Sequence, residues 1–375
     1  MERDMSEYTL VATSAFGLEA VVARELKALG FEKVIVENGR VIFFGSDSDI
    51  ARTNIWLRCA DRILMKMGQF RASDFEELFQ GVRVIPWGRY ISSTGAIHVG
   101  GTSVKSALTS IPACQSVVKK AIVESMKKRY RMEHFPEDGP VHGVEFSLQN
   151  DLASVYMDTT GPGLNKRGYR TGAGQAALKE TLAAGLVYLS RWKPGIPFID
   201  PFCGSGTVVI EAAMIGRNIA PGIGRGFASE KWKFIDAGIW ENARRRARRE
   251  ERKATLDIKG SDIDDSVITK ARRNARNAKV LPAVKFERRD IKELAFHADK
   301  GIVVCNPPYG EKSGDKKAVG QLIRMMREAF DRAPGWSFFV FTGFEDFEYH
   351  YGKPADSNRK LYNGRIKCYL YQFKS

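Results

Sequence analysis

The stretch Val303-Val304-Cys305-Asn306-Pro307-Pro308-Tyr309-Gly310 places an amide, two prolines and an aromatic ring directly after a β-branched run. Proline cannot donate to a sheet ladder, so the pair ends the strand that Val303 and Val304 belong to. Read blandly, this is a turn. Read as chemistry, it is a stiff loop that presents the Asn306 amide oxygen and the Pro307 carbonyl as two preorganised acceptors. Two acceptors suit a planar NH₂ group, which carries two donors. Tyr309 offers a face for stacking a base, an interaction worth roughly 1–3 kcal/mol in nucleic-acid sites.

Three other stretches could hold a ligand. Asp200-Pro201-Phe202-Cys203-Gly204-Ser205-Gly206-Thr207 precedes a helical run. Gly204 and Gly206 can take backbone angles closed to other residues and let a ligand approach the main chain. The loop lacks the P-loop lysine and is not GxGxxG. In Gly260-Ser261-Asp262-Ile263-Asp264 a strand-end carboxylate can accept hydrogen bonds from both hydroxyls of a ribose. Asp262 or Asp264 taken alone reads equally as a helix N-cap. The gap from the glycine loop is about 55 residues, against about 20 in the dinucleotide fingerprint, and an insertion over 217–256 accounts for it. In Arg288-Arg289-Asp290-Ile291 the carboxylate can accept from an exocyclic amine such as that of adenine, or form a surface salt bridge.

The elements that must position these residues follow from periodicity. PFIDPFCGSGT, LDIKGSDID, VKFERRDI and GIVVCNPPYG each read as a buried strand ending in polar residues, with helical stretches between them. Such alternation predicts a doubly wound parallel sheet, whose ligands bind at the carboxyl ends of the strands. This half begins near residue 165 with the Gly-rich, basic connection NKRGYRTGAG, and the helix ALKETLAAGLVYLSRW follows. The preceding half predicts small α+β units. The first has a strand over 7–13, a helix over 16–29 capped by Gly30, a hairpin at Asn38-Gly39 and a helix near 48–57. The second has a strand over 96–101, a helix over 112–130 and a hairpin over 144–161 turning at Asn150-Asp151.

A chain of 375 residues is too long for one ordinary core. The net charge of +15 is unevenly placed: residues 1–160 hold 19 basic and 20 acidic residues, and the remainder 40 and 24. A basic half favours a polyanionic partner, most simply nucleic acid. Two helices carry dense cations. One holds Lys119, Lys120, Lys127, Lys128 and Arg129; the other, over 241–254, holds Arg244, Arg245 and Arg248, with Trp240, Ala243, Ala247 and Ala254 on its opposite face. Either is also what a solvated helix face looks like. The five cysteines form no CxxC pair and the histidines no ligand-spaced pair, so reduced thiols, a cytoplasmic setting and no metal are expected. MERDMSEYTL has no signal-peptide character, and no apolar run approaches a membrane span.

The ordered set DPFCGSGT, GSDID, RRDI and NPPYG resembles the S-adenosylmethionine-dependent methyltransferases that act on exocyclic nitrogens of bases, whose motif [D/N/S]PP[Y/F/W] is matched in full by Asn306 to Tyr309. RGYRTGAGQAALKETLAAGL is similar to the helix that precedes their glycine loop. The N-terminal half resembles a ferredoxin-like module joined to a THUMP domain, an RNA-binding unit. APGIGRGFASEKW and YNGRIKCYLYQF resemble the large-subunit ribosomal RNA guanine-N2 methyltransferases.

The resemblance implies a Rossmann-like doubly wound domain over 165–375 preceded by an α+β half, with a ferredoxin-like module over 1–60 and a THUMP-like domain over 61–160. It implies S-adenosylmethionine as cofactor, with Asp200, Gly204, Gly206 and Thr207 lining its methionine end and Cys203, Ser205 and Asn306 also binding it. Asp262 and Ile263 would serve the ribose, and Asp290 and Ile291 the adenine, with Asp264 a nearby helix cap. Asn306, Pro307, Pro308 and Tyr309 would be catalytic. The expected substrate is RNA, with 23S rRNA or an assembling large subunit favoured and guanine N2 the favoured atom. A tRNA guanine-N2 enzyme, a DNA adenine-N6 enzyme and a non-catalytic assembly factor are the alternatives. No membrane partner is expected, and a monomer or weak dimer is left open.

Overall fold

The computed structural model describes residues 7–170, 178–309 and 316–374. The Gly-rich connection therefore falls partly outside the described residues, over 171–174, as do Ala177 at the start of the expected helix and Gly310. In the N-terminal half the elements run β1 (Tyr8–Ser14), α1 (Glu19–Ala28), β2 (Val34–Glu37), β3 (Arg40–Gly45), α2 (Asp47–Trp56), β4 (Ala60–Arg71), α3 (Phe75–Arg83), β5 (Ala96–Val104), α4 (Ile111–Tyr130), β6 (Val141–Gln149) and β7 (Leu152–Asp158). Their strands form one seven-stranded sheet in the order β2-β3-β1-β4-β7-β6-β5.

The local signals act as expected. Gly30 at φ +91° ends α1, with the Phe31 N–H returning to the Leu26 carbonyl. Asn150 and Asp151 both adopt positive φ, the geometry of a two-residue type I′ hairpin. Helix α1 starts three residues later than periodicity predicts, because Gly17 at φ +92° leaves the helical region. Strand β4 and helix α3 carry no strong turn signal and are absent from the sequence reading. Yet β4 pairs with β1 on one side and β7 on the other, and so joins the two α+β units in one sheet. The boundary drawn between residues 60 and 61 falls inside it.

The C-terminal half runs α5 (Glu180–Leu189), β8 (Phe198–Asp200), α6 (Thr207–Gly216), α7 (Ala237–Arg249), β9 (Ile258–Asp262), α8 (Asp265–Asn277), β10 (Val284–Arg288), β11 (Gly301–Cys305), α9 (Lys316–Phe330), β12 (Trp336–Thr342), α10 (Phe347–Tyr351), β13 (Ser357–Asn363) and β14 (Ile366–Phe373). The sheet order is β10-β9-β8-β11-β12-β14-β13. The first five are parallel, and β14 lies antiparallel between β12 and the edge strand β13. The chain leaves β8 towards β9 and β10, then returns to place β11 on the other side of β8. That reversal makes the β8–β11 edge a topological switch point, where such sheets bind ligands.

The arginine-rich helix ends earlier than expected. Helix α7 stops at Arg249, and Ala254 lies beyond it. The Arg252 N–H donates to the Arg217 carbonyl, and Glu251 pairs with the Arg217 guanidinium at 2.6 Å. The end of α6 therefore captures the chain before another turn can form. The two halves share a core: Leu18 of the N-terminal half packs where a side chain on Gly185 of α5 would stand, 2.7 Å from an added Cβ.

Candidate active site

The switch point brings the four motifs to one edge of the sheet. Val303 of β11 is in register with Ile199 of β8, so Asp200 and Asn306 leave the sheet at neighbouring strand ends. On the other side of β8, Asp200 is in register with Gly260, and Asp262 is in register with Arg288 on β10.

Asp262 fastens the glycine loop. Its Oδ2 accepts from the Gly204 N–H at 3.0 Å, while Oδ1 accepts from the Asp264 N–H at 3.1 Å. The Cys203 N–H donates to the Ser261 carbonyl, and the Asn274 amide donates to the Ser205 carbonyl at 3.0 Å. Gly206 caps α6 at φ +86°, where a Cβ would lie 3.1 Å from Ala271 and 3.2 Å from the Phe286 ring. Gly204 differs. It has φ +51° and no described residue within 4 Å of a built Cβ, so among the described residues this backbone is open at the strand edge. Thr207, the first residue of α6, is buried.

Asp200 is 1 % exposed and accepts the Phe202 N–H at 3.0 Å through Oδ1. Burial, aided by the nearby Asp262 charge, raises its pKa to about 8 despite that hydrogen bond. Cys203 and Cys305 are pushed far above the ordinary thiol range, chiefly by burial, so neither is a poised nucleophile. Asp264 caps α8 by accepting the Ser266 N–H at 2.8 Å. Asp290 caps the single turn Ile291–Glu293 through the Lys292 N–H at 2.9 Å. Between Asp262 and Asp264, Ile263 is 62 % exposed, while Ile291 is buried.

At the end of β11, the Asn306 Oδ1 is buried and has no hydrogen-bond partner among the described residues. Leaving such an acceptor unsatisfied costs about 1–3 kcal/mol. The prolines that follow have no N–H to offer it. Tyr309 is half-buried beside the second core cluster, and its hydroxyl accepts from the Asn363 amide at 3.1 Å. Asn363 ends β13 and escaped sequence reasoning, because nothing local marks it as a partner of a loop 54 residues earlier. These residues fit an S-adenosylmethionine and base-amine pair: an open glycine backbone, a carboxylate and an exposed isoleucine at the next strand end, and an orphaned acceptor across the switch point. No His, Cys, Asp and Glu grouping among the described residues could hold a metal ion.

The basic residues divide. Lys119 pairs with Glu137 at 2.8 Å, Lys127 pairs with Glu124 and Glu133, and Lys120 lies over the Phe79 ring. Lys128 and Arg129 are exposed and join Arg83 and Arg89 along a groove of about 800 Å³. On α7, Arg244 is tied to Glu230 and the Arg225 carbonyl and lies over Trp240, so it holds the helix in place. Arg245 and Arg248 are exposed, the former donating to Asn242. Among the described residues no helix is long and apolar enough to cross a membrane.

Comparison with known proteins agrees with this geometry. Residues 167–372 match the RMKL-like methyltransferase domain, 9–64 the RlmL ferredoxin-like domain and 72–158 the THUMP domain. The chain is 46% identical over 99% of its length to the Bacillus subtilis protein named "Putative RNA methyltransferase YpsC", covering 97% of that protein. Its fold matches the crystal structure of "SMU.472, a putative methyltransferase complexed with SAH" with a TM-score of 0.93 and 44% identity, covering 100% of this chain and 99% of that one. It matches "a predicted N6-adenine-specific DNA methylase" from Listeria monocytogenes with a TM-score of 0.94 and 44% identity, over 98% and 96% of the two chains.

Proposed function

The chain belongs to the RMKL-like methyltransferase family, and on that premise we propose that it methylates the N2 amine of a guanine in large-subunit ribosomal RNA. It is an S-adenosylmethionine-dependent methyltransferase acting on RNA; the ribosomal target and the guanine atom are our reading. The observation that carries amine methylation is the Oδ1 of Asn306, buried and unpartnered among the described residues on a proline-stiffened loop; the preference for guanine and ribosomal RNA rests on the resemblance carried by residues 220–232 and 362–373.

When bound, the sulfonium supplies a methyl group already activated for transfer. The chain's own task is the nucleophile. A base amine has its lone pair delocalised into the ring. Asn306 Oδ1 and the Pro307 carbonyl, each accepting one N–H, favour a pyramidal nitrogen and stabilise the positive charge that grows there. This is preorganised electrostatic stabilisation joined to positioning. The base must leave its stack to enter such a site, and Tyr309 offers it a new one. Asp262 and Ile263 would hold the ribose, Asp290 and Ile291 the adenine, and Asp200, Cys203, Gly204, Ser205, Gly206 and Thr207 the methionine end.

RNA is favoured over DNA by the THUMP match over 72–158 and by the RNA methyltransferase relative. The groove of Arg83, Arg89, Lys128 and Arg129, together with Arg245 and Arg248, would carry its backbone. The test is deletion of the gene followed by mass-spectrometric mapping of methylated bases in rRNA, tRNA and DNA. The expected result is loss of one N2-methylguanine from 23S rRNA, restored by the wild-type gene and not by Asn306→Ala. A missing N6-methyladenine in DNA, or restoration by Asn306→Ala with full turnover, overturns the assignment.

A further inference from the structure

A concavity of about 430 Å³ opens where three parts of the chain meet: Phe16 in the β1–α1 loop with Asp61 on β4, Lys179 and Thr181 at the start of α5, and Tyr362 and Gly364 at the tip of the β13–β14 hairpin. Its size lies within the range of about 300–1,000 Å³ usual for small-ligand sites. Phe16 is 47 % exposed and meets Tyr362 edge-to-face with centroids 5.8 Å apart. The loop carrying Phe16 is fixed: the Arg359 guanidinium donates to the Gly17 carbonyl at 3.1 Å. Asp61 is oriented by the Thr181 hydroxyl at 2.8 Å, and the Lys179 ammonium stands 4.0 Å from it. Lys360 lies over the Tyr362 ring at 5.5 Å.

The lining thus combines two aromatic rings, an oriented carboxylate and cations at the rim. Aromatic rings accept the face of any base, the carboxylate accepts from amine or imino donors on a base edge, and lysines meet phosphate. Tyr362 directly precedes Asn363, whose amide holds Tyr309 in the candidate site. We propose that this pocket binds a single-stranded nucleotide of the RNA that flanks the target base, stacked against Phe16 and Tyr362. The inference rests on the RNA-methylating reading given above and adds a second base-binding position to it.

The test uses the full-length protein, ribosomal RNA from a strain lacking the gene and radiolabelled S-adenosylmethionine. Ultraviolet crosslinking should attach an RNA nucleotide to the peptide carrying Phe16 or Tyr362. Phe16→Ala, Tyr362→Ala and Lys179→Ala should each raise the RNA Kd and KM, by about tenfold for the aromatic variants, the worth of one stacked base. The Kd for S-adenosylmethionine should stay within twofold. Phe16 is half-exposed and Lys179 lies at the rim, so these two keep the test valid if Tyr362→Ala fails to fold. If the wild type methylates RNA while no crosslink forms here and all variants bind RNA within twofold of wild type, the pocket assignment is overturned and the activity stands. If RNA crosslinks to Phe16 or Tyr362 but no base is methylated, the activity reading falls and the pocket stands. Absence of RNA binding by the wild type overturns both.

Discussion

The Asn363 side-chain amide donates to the Tyr309 hydroxyl at 3.1 Å, tying the Asn-Pro-Pro-Tyr loop to the terminal hairpin. The two prolines stiffen the loop from within, and this bond fixes its far end from outside. Asn363→Ala and Tyr309→Phe should each lower kcat by up to about tenfold, the worth of one hydrogen bond of about 0.5–1.5 kcal/mol expressed in positioning. S-adenosylmethionine affinity should not change. Because both variants remove the same bond, the double variant should be no worse than either single one, and additive losses in that cycle would contradict the positioning role.

Asp200 gives the free protein a specific pH dependence. Its pKa rises from the ordinary 3.8 to about 8, chiefly through burial. Between those values the unfolded chain has released the proton and the folded chain still holds it, so folding loses stability as pH rises. Asp200→Asn keeps an oxygen for the Phe202 N–H and carries no titrating group. Its stability should gain on the wild type by on the order of 1 kcal/mol per pH unit across that window, and by nothing further above it. Denaturation midpoints at pH 5, 7 and 9 check this; a constant difference would show that Asp200 ionises normally.

The basic residues make distinguishable predictions because the structure sorts them. Lys128→Glu and Arg129→Glu, in the groove with Arg83 and Arg89, should weaken RNA binding and reduce the salt slope of log K by about one unit per lost phosphate contact. Arg248→Glu on the exposed face of α7 should do the same. Arg244→Ala should instead lower stability, because its guanidinium holds Glu230 and the Arg225 carbonyl. Filter-binding across a salt series separates these outcomes.

Much of this was legible in the sequence because each signal was local. Asn150-Asp151, Gly30 and the strand-end motifs dictate their own backbone, and the alternation of strands and helices dictates a parallel sheet with those motifs at one edge. What escaped was set by partners distant along the chain. Strand β4 is defined by β1 and β7 rather than by its own turn residues. Arg244 resembles its neighbours in the run Glu241 to Arg249 until Glu230 is placed beside it. Asn363 has no meaning without Tyr309. The contacts joining the two halves are also long-range, and beside the shared apolar core they include buried charged residues.

Those residues make the strongest stability prediction. The Arg167 guanidinium and the Glu211 carboxylate are both fully buried, with Nε 3.4 Å from Oε1. Arg167 also donates to the carbonyls of Leu164 and Arg58, and the Tyr169 hydroxyl donates to Glu211 at 3.1 Å. Glu211 lies on α6, the helix that the glycine loop begins, whereas Arg58 lies in the N-terminal half next to Cys59, whose N–H donates to Glu25. Arg167 therefore links the N-terminal half to α6, the helix that follows the glycine loop. Arg167→Met should cost about 3–5 kcal/mol, because it strands the Glu211 carboxylate in the interior. Replacing both partners by Met removes that stranded charge and should recover most of the loss. Denaturant midpoints at unchanged m decide the matter. A double variant as unstable as the single one would mean that the carbonyl bonds to Arg58 and Leu164, rather than the ion pair, hold the halves in register.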